Sequence, residues 1–180
     1  MEHIPPLDRP ARTWPLSALS AAALAGVASA LLLAGAWWFE LRLGLKPCKL
    51  CLEQRLPHYA ALVLALFAVV GALQGRRVLA GLALGGLVLA FMASTWLGLY
   101  HAGVEWGWFA GPNDCGGAAS PAARSASDFL RQLETTRVVS CTEAAWRLFG
   151  LSLAGWNMLA SLALAWVAMQ GLRAVSKIHA

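Results

Sequence analysis

An all-α membrane protein, a bundle of four transmembrane helices, is the fold class this sequence predicts, and three observations predict it. Hydrophobic residues make up 59% of the 180-residue chain and charged residues 13%, against roughly 45–50% and 25% in soluble domains. The apolar residues gather into four long runs that carry no charge. None of these runs shows the polar face that each helix of a soluble bundle presents to water. The whole chain, 1–180, reads as one domain with no internal repeat.

Residues 1–15 form a Pro- and charge-containing tail, expected to be loosely ordered. The first span covers 16–39, 24 residues, or about 36 Å of helix against a hydrocarbon core of roughly 30 Å. Ala34-Gly35-Ala36 resembles a signal-peptide cleavage site. The run is longer than a signal peptide's apolar region and continues through Trp37, Trp38 and Phe39, which favours an uncleaved anchor. Residues 40–56 form a short first loop. The second span covers 57–73; its uncharged part from Tyr59 is 15 residues and reaches adequate length only with the residues just before it. Residues 74–77 make a tight turn. The third span covers 78–100, the long second loop 101–147 and the fourth span 148–169. In the second loop, 125–128 matches a capping box, and Phe129, Leu130 and Leu133 share a helical face. A short amphipathic helix over 126–137 follows, either lying in the membrane interface or packed on the loop surface.

Charge orients the chain weakly. Arg9, Arg12, Arg76, Arg77, Arg173 and Lys177 fall on one side. Arg42, Lys46, Lys49, Arg55, Arg124, Arg131, Arg137 and Arg147 fall on the other. The first group occupies the shorter connections, and long loops count for little, so both termini are expected to be cytoplasmic and both loops periplasmic. The basic residues are scattered at span ends, so the net charge of +5 reads as topology signal and interface anchoring, not as a nucleic-acid site. Trp14, Trp37, Trp38, Trp96, Trp106, Trp108 and Trp146 lie near span ends, as an aromatic belt requires.

The four cysteines all fall in the two loops. Cys48 and Cys51 form a C-x-x-C after Pro47. Haem attachment would need His at position 52, which is Leu52, and structural zinc a second close pair, whereas Cys115 and Cys141 are 26 positions apart. A redox pair is the reading, with no metal expected. A position just before a helix stabilises a thiolate through unpaired N–H groups. Lys49 and Arg55 add positive charge, and Arg55 is spaced to share a helical face with Cys51; an ordinary snorkelling arginine fits as well. Taken alone, Cys115 and Cys141 suit a structural disulfide worth roughly 3–4 kcal/mol. Beside a C-x-x-C on the same membrane face they also suit a path for two electrons from an aqueous partner towards the lipid. Even cysteine pairs on one side fit the oxidising face of a bacterial inner membrane.

Pro47-Cys48-Lys49-Leu50-Cys51, then Arg55, Cys115, Cys141 and Trp146-Arg147-Leu148-Phe149-Gly150-Leu151-Ser152 with Trp156 together resemble the disulfide bond formation protein B family over nearly the whole chain. The resemblance implies a membrane thiol:quinone oxidoreductase. A reduced thioredoxin-like thiol oxidase of the DsbA type would attack a Cys115–Cys141 disulfide at Cys115. Cys141 would then exchange with the Cys48–Cys51 pair through a Cys48–Cys141 bridge, and Cys51 would pass electrons to a ubiquinone or menaquinone. Arg55 would lie beside the quinone. His101 would be a second quinone-side residue, although its position equally suits an interfacial histidine. The vitamin K epoxide reductase family, another thiol–quinone relay, places its C-x-x-C after the separated pair, and here it comes first. A haem carrier would need histidines within spans, and His58 and His101 sit at span ends. A non-enzymatic membrane protein with stapled loops remains the alternative, although it has no use for so short a loop as C-x-x-C.

Overall fold

The computed structural model describes residues 17–112, 125–127 and 140–176. Four long helices dominate these residues, each apolar and long enough to cross a membrane. Helix α1 is Ala18–Arg42, α2 is Lys49–Leu73, α3 is Arg77–Glu105 and α4 is Leu153–Ser176. Their starts have identifiable causes. Ser17 caps α1 by accepting the Ser20 N–H at 3.1 Å, and Cys48 caps α2 with its sulfur, which accepts the Cys51 N–H at 3.2 Å. Between α2 and α3 the chain reverses through Gly75, whose φ of +67° suits glycine. Ahead of α4, strands β1 (Arg147–Leu148) and β2 (Leu151–Ser152) pair antiparallel. Their two-residue turn has positive φ at both Phe149 and Gly150, the geometry that matches the twist of a tight hairpin.

The helices overrun the spans expected from charge-free runs. Helix α2 starts at Lys49 rather than at 57, because the sulfur cap starts the helix while Lys49, Glu53 and Arg55 interrupt only the apolar pattern. Helix α3 continues past 100 through His101 to Glu105. Helix α4 starts at Leu153, since the hairpin takes the residues from 147. Cys51, Gln54, Arg55, His101 and Glu105 therefore sit on rigid helix rather than in loops. The tail 1–15 with Trp14, Cys115, and the helix expected over 126–137, apart from residues 126 and 127, lie outside the described residues.

Around the bundle, α1 packs on α2 and α4, and α3 packs on the same two, with α1 and α3 diagonal. The shared core is built largely of small residues, among them Ala21, Ala25, Ala61, Ala65, Ala68, Ala83 and Ala168, filled by Leu84, Leu87 and Phe91. Large apolar side chains point outward instead: Leu31, Leu66, Leu82, Leu89 and Trp96 are each more than half exposed. Water would penalise that arrangement, whereas lipid tails accept it, and small residues let helices approach closely where hydrophobic burial drives nothing. The chain is a multi-pass membrane protein.

Gly98 lets α3 come close to the backbone of α4. A Cβ there would stand 2.9 Å from Met158 N and 3.0 Å from Ala154 O, both backbone atoms. Gly98→Ala should therefore force the helices apart and destabilise the protein by about 1–3 kcal/mol. Gly85→Ala, which meets nothing within 4 Å, should be neutral or gain up to about 1 kcal/mol of helix propensity. Thermal unfolding in detergent reads both, and equal melting temperatures for the two variants would refute the close-packing account.

Candidate functional site

Three of the four cysteines meet at the end of the bundle where α2 begins and α3 finishes. Cys48 and Cys51 sulfurs are in direct contact at 2.7 Å, both as free thiols. The C-x-x-C spacing allows this because the first residue caps the helix and the second lies in its first turn. Cys141, from the chain leading to the hairpin, packs on Cys48 with Leu50 and Val104. Cys48, Cys141 and His101 are all buried, and their sulfur and nitrogen atoms lie within 4.8 Å of one another. Closeness of this kind suits capture of a soft cation or exchange between sulfurs; the dithiol contact, with a cavity beside it, suits exchange.

Proton affinity separates the sulfurs. The hydrogen bond that Cys48 donates to Cys51 and then burial push the Cys48 thiol up to about 12, against the opposing pull of His101, whose Nε2 lies 3.8 Å away. Cys48 is thus the partner that keeps its proton. Burial also raises the Cys141 thiol, opposed by the backbone N–H groups of Leu50 and Lys49.

Beside the pair a cavity of about 310 Å³ opens between the helices. Cys51 lines it and Cys48 does not. Its apolar wall comes from Leu32, Gly35, Phe39, Leu153 and Trp156, and its polar wall from Gln54, Arg55, His58, His101, Glu105 and Asn157. Arg55 neither snorkels nor stands alone. Its Nη1 donates to Glu40 at 2.7 Å, Nη2 reaches Ala36 O at 3.4 Å, and the guanidinium lies 5.2 Å over the Trp37 ring. Its Nε has no partner, and neither has Glu105 Oε2, although both are buried. An unmet donor and an unmet acceptor at one cavity are the complement of a ligand that both accepts and donates hydrogen bonds.

A chain of buried polar groups runs inward from the sulfurs. Gln54 Nε2 lies 2.6 Å from His101 Nδ1, Asn157 Nδ2 donates to Gln54 Oε1 at 2.8 Å, and Asn157 Oδ1 lies 2.9 Å from His58 Nε2. Ser94 and Ser161 complete it on one side, and Ser29 meets the other nitrogen of His58 at 3.5 Å.

Sequence reasoning placed Cys48, Cys51, Cys141, Arg55 and His101 at one site, and they are together here; Cys115 lies outside the described residues. It missed Glu40, Gln54, Glu105 and Asn157, and read His58 only as a failed haem ligand. The available signal was polar residues at helical spacing in apolar segments: Gln54 with His58, His101 with Glu105, and Asn157 with Ser161, each pair four apart.

The sequence profile of the family described as "Disulfide bond formation protein DsbB" matches residues 18–170. "Disulfide bond formation protein B" of Xanthomonas euvesicatoria pv. vesicatoria is 33% identical over 162 residues, spanning 85% of this chain and 90% of its own. The protein of that name from Xanthomonas oryzae pv. oryzae is 34% identical over 157 residues, 82% of this chain and 87% of its own. A third, from Nitrosomonas europaea, is 30% identical over 139 residues, 74% and 80% of the two chains.

With Cys48 pushed up to about 12, its alkylation in the reduced protein should be slow at neutral pH. It should climb about tenfold per pH unit until near that value, since only the thiolate reacts. Mass spectrometry after iodoacetamide pulses at stepped pH checks this; a Cys48 rate that levels off below pH 9 would refute it.

Proposed function

This chain belongs to the disulfide bond formation protein B family, and from that premise we propose that it is a membrane thiol:quinone oxidoreductase in a bacterial inner membrane. Members of this family are disulfide-forming oxidoreductases, and so is this chain. Both termini lie in the cytoplasm, and residues 40–56 and 101–147 face the periplasm. A reduced periplasmic thioredoxin-like thiol oxidase of the DsbA type attacks the Cys115–Cys141 disulfide at Cys115 and leaves oxidised. The freed Cys141 thiolate exchanges with the Cys48–Cys51 disulfide at Cys48, releasing Cys51. Cys115 then attacks Cys141, which restores the Cys115–Cys141 disulfide and expels Cys48 as a thiol; when Cys48 and Cys51 close again, two electrons and two protons leave them for the acceptor in the cavity.

The observation that carries this reading is the cavity. Of the Cys48–Cys51 pair Cys51 alone lines it, and Arg55 Nε and Glu105 Oε2 stand there without partners. A quinone fits that donor set and apolar wall, and once bound it supplies a two-electron, two-proton acceptor soluble in lipid. Arg55 would hold a quinone oxygen through Nε, with Glu40 and Trp37 fixing the guanidinium. The flanks of α1 and α4 keep water from the sulfur. His101 lies between Cys48 and Glu105, 3.8 Å from each.

Purified protein in detergent, given a soluble quinone and a reduced thiol oxidase of this type, should reduce the quinone, as followed by its absorbance. Cys48→Ala/Cys51→Ala should abolish that reduction. Absence of reduction by the wild type with ubiquinone and menaquinone analogues alike would leave stapled loops as the better account. Arg55→Ala should raise the quinone KM about tenfold or more, the value of a charge-assisted hydrogen bond, while disulfide exchange with the partner continues at its normal rate. An unchanged KM would remove Arg55 from the quinone site.

A further inference from the structure

We infer that Gln54, Asn157 and His58 are positioning residues that hold the His101 ring with its proton on Nε2, so that His101 acts on Cys48 as a hydrogen-bond donor and not as a base. The inference rests on reading Cys48 as an exchanging thiol; it does not require a quinone.

An amide nitrogen has only N–H to offer. Gln54 Nε2, 2.6 Å from His101 Nδ1, therefore donates, and Nδ1 is the bare nitrogen of a neutral ring. The ring proton is left on Nε2, which faces Cys48 Sγ at 3.8 Å and Glu105 Oε1 at 3.8 Å. One amide alone could turn over and reverse the assignment. Here Gln54 cannot turn without its neighbours. Its Oε1 accepts from Asn157 Nδ2 at 2.8 Å, and the same Nδ2 also donates to Ser94 Oγ at 3.2 Å. Asn157 Oδ1 in turn faces His58 Nε2 at 2.9 Å, with Ser94 Oγ 3.3 Å from the same nitrogen; in this orientation Nε2 is the donor that begins the chain, and reversing it takes Gln54, Asn157 and the His58 proton together. Donor and acceptor alternate from His58 to Cys48, and a reversed Gln54 would bring two amide nitrogens together. Every side chain in the line is at least largely buried, where a mismatched pair has no water to repair it.

The chemical consequence falls on Cys48. Its surroundings are Cys51 in the first turn of α2, Cys141 from the segment that leads to the hairpin, and His101 with Glu105 behind it on α3. Of these only His101 offers Cys48 a side-chain N–H when its proton is gone. During exchange, as Cys141 bonds to Cys48 or leaves it, charge that builds on the Cys48 sulfur is met by that N–H. No proton needs to move through the ring, so the bond changes are those of disulfide exchange alone: one S–S bond forms as another breaks.

The test uses the full-length, reduced, quinone-free protein. Nitrogen-15 NMR of labelled histidine should show His101 protonated at Nε2. Asn157→Leu, which touches neither His101 nor Cys48, should yield a mixture of tautomers. It should also slow Cys48 alkylation at fixed pH by about tenfold, the loss of a hydrogen bond to a charged sulfur. Gln54→Glu, whose carboxylate accepts from Nδ1, should move the proton to Nδ1 and slow Cys48 at least as much. A wild-type ring protonated at Nδ1 overturns the inference, whether or not the variants fold. So does an unaltered tautomer and Cys48 rate in a folded Asn157→Leu. A wild-type protein that shows the Nε2 proton yet reduces no quinone would sink the quinone reading and leave this one standing.

Discussion

Inside a bilayer every polar atom must find a partner within the protein, because no water is present to supply one. His58 is where that constraint governs the bundle. It meets Ser29 of α1, Ser94 of α3 and Asn157 of α4 while belonging itself to α2. A shift of any helix along its neighbour by one turn would strand at least one of these groups. Small residues let the helices come close, but alanine on alanine tolerates sliding. The polar cluster fixes the register, and with it the distance between the sulfurs above, since Gln54 links the same cluster to His101.

A second set of buried groups secures the other wall. Arg55 and Glu40 pair across α1 and α2, and taking both out of water is costly unless further bonds compensate. Ala36 O and the Trp37 ring supply part of that compensation, and Trp37 is itself held by Tyr59 through its indole N–H at 3.0 Å. One guanidinium nitrogen is left over. The ion pair therefore rigidifies the cavity and leaves one donor for whatever fills it.

Much of the architecture was legible in the sequence because charge-free runs of bilayer length have few other uses. What hydropathy misplaced was the helix ends. Lys49, Glu53 and Arg55 break an apolar pattern without breaking a helix, and a cysteine cap at 48 is a backbone event that composition does not register. The cysteine site was legible in two ways. The C-x-x-C announced itself by spacing, whereas the nearness of Cys141 to Cys48, distant in sequence, came only through family resemblance. Arg55 could be placed near Cys51 by helical spacing, but its partner Glu40 lies across a loop, and no local pattern reveals such a pair. The polar chain had a signal, amides and histidines four apart in apolar helices, that points inward only once the helices are known to start early enough to contain them.

Cys48 and Cys141 are each only 2% exposed. Thiol–disulfide exchange needs the incoming sulfur to line up with the bond it breaks, and burial this deep leaves a dissolved thiol few such lines to either atom. The centre is therefore sheathed. Among the described residues the Cys48 sulfur is approached by Cys51 and Cys141, already seated against it, and the cavity opens on the side of Cys51. Burial of this kind would slow exchange with dissolved thiols and so keep a disulfide here from being drained by whatever soluble reductant surrounds it.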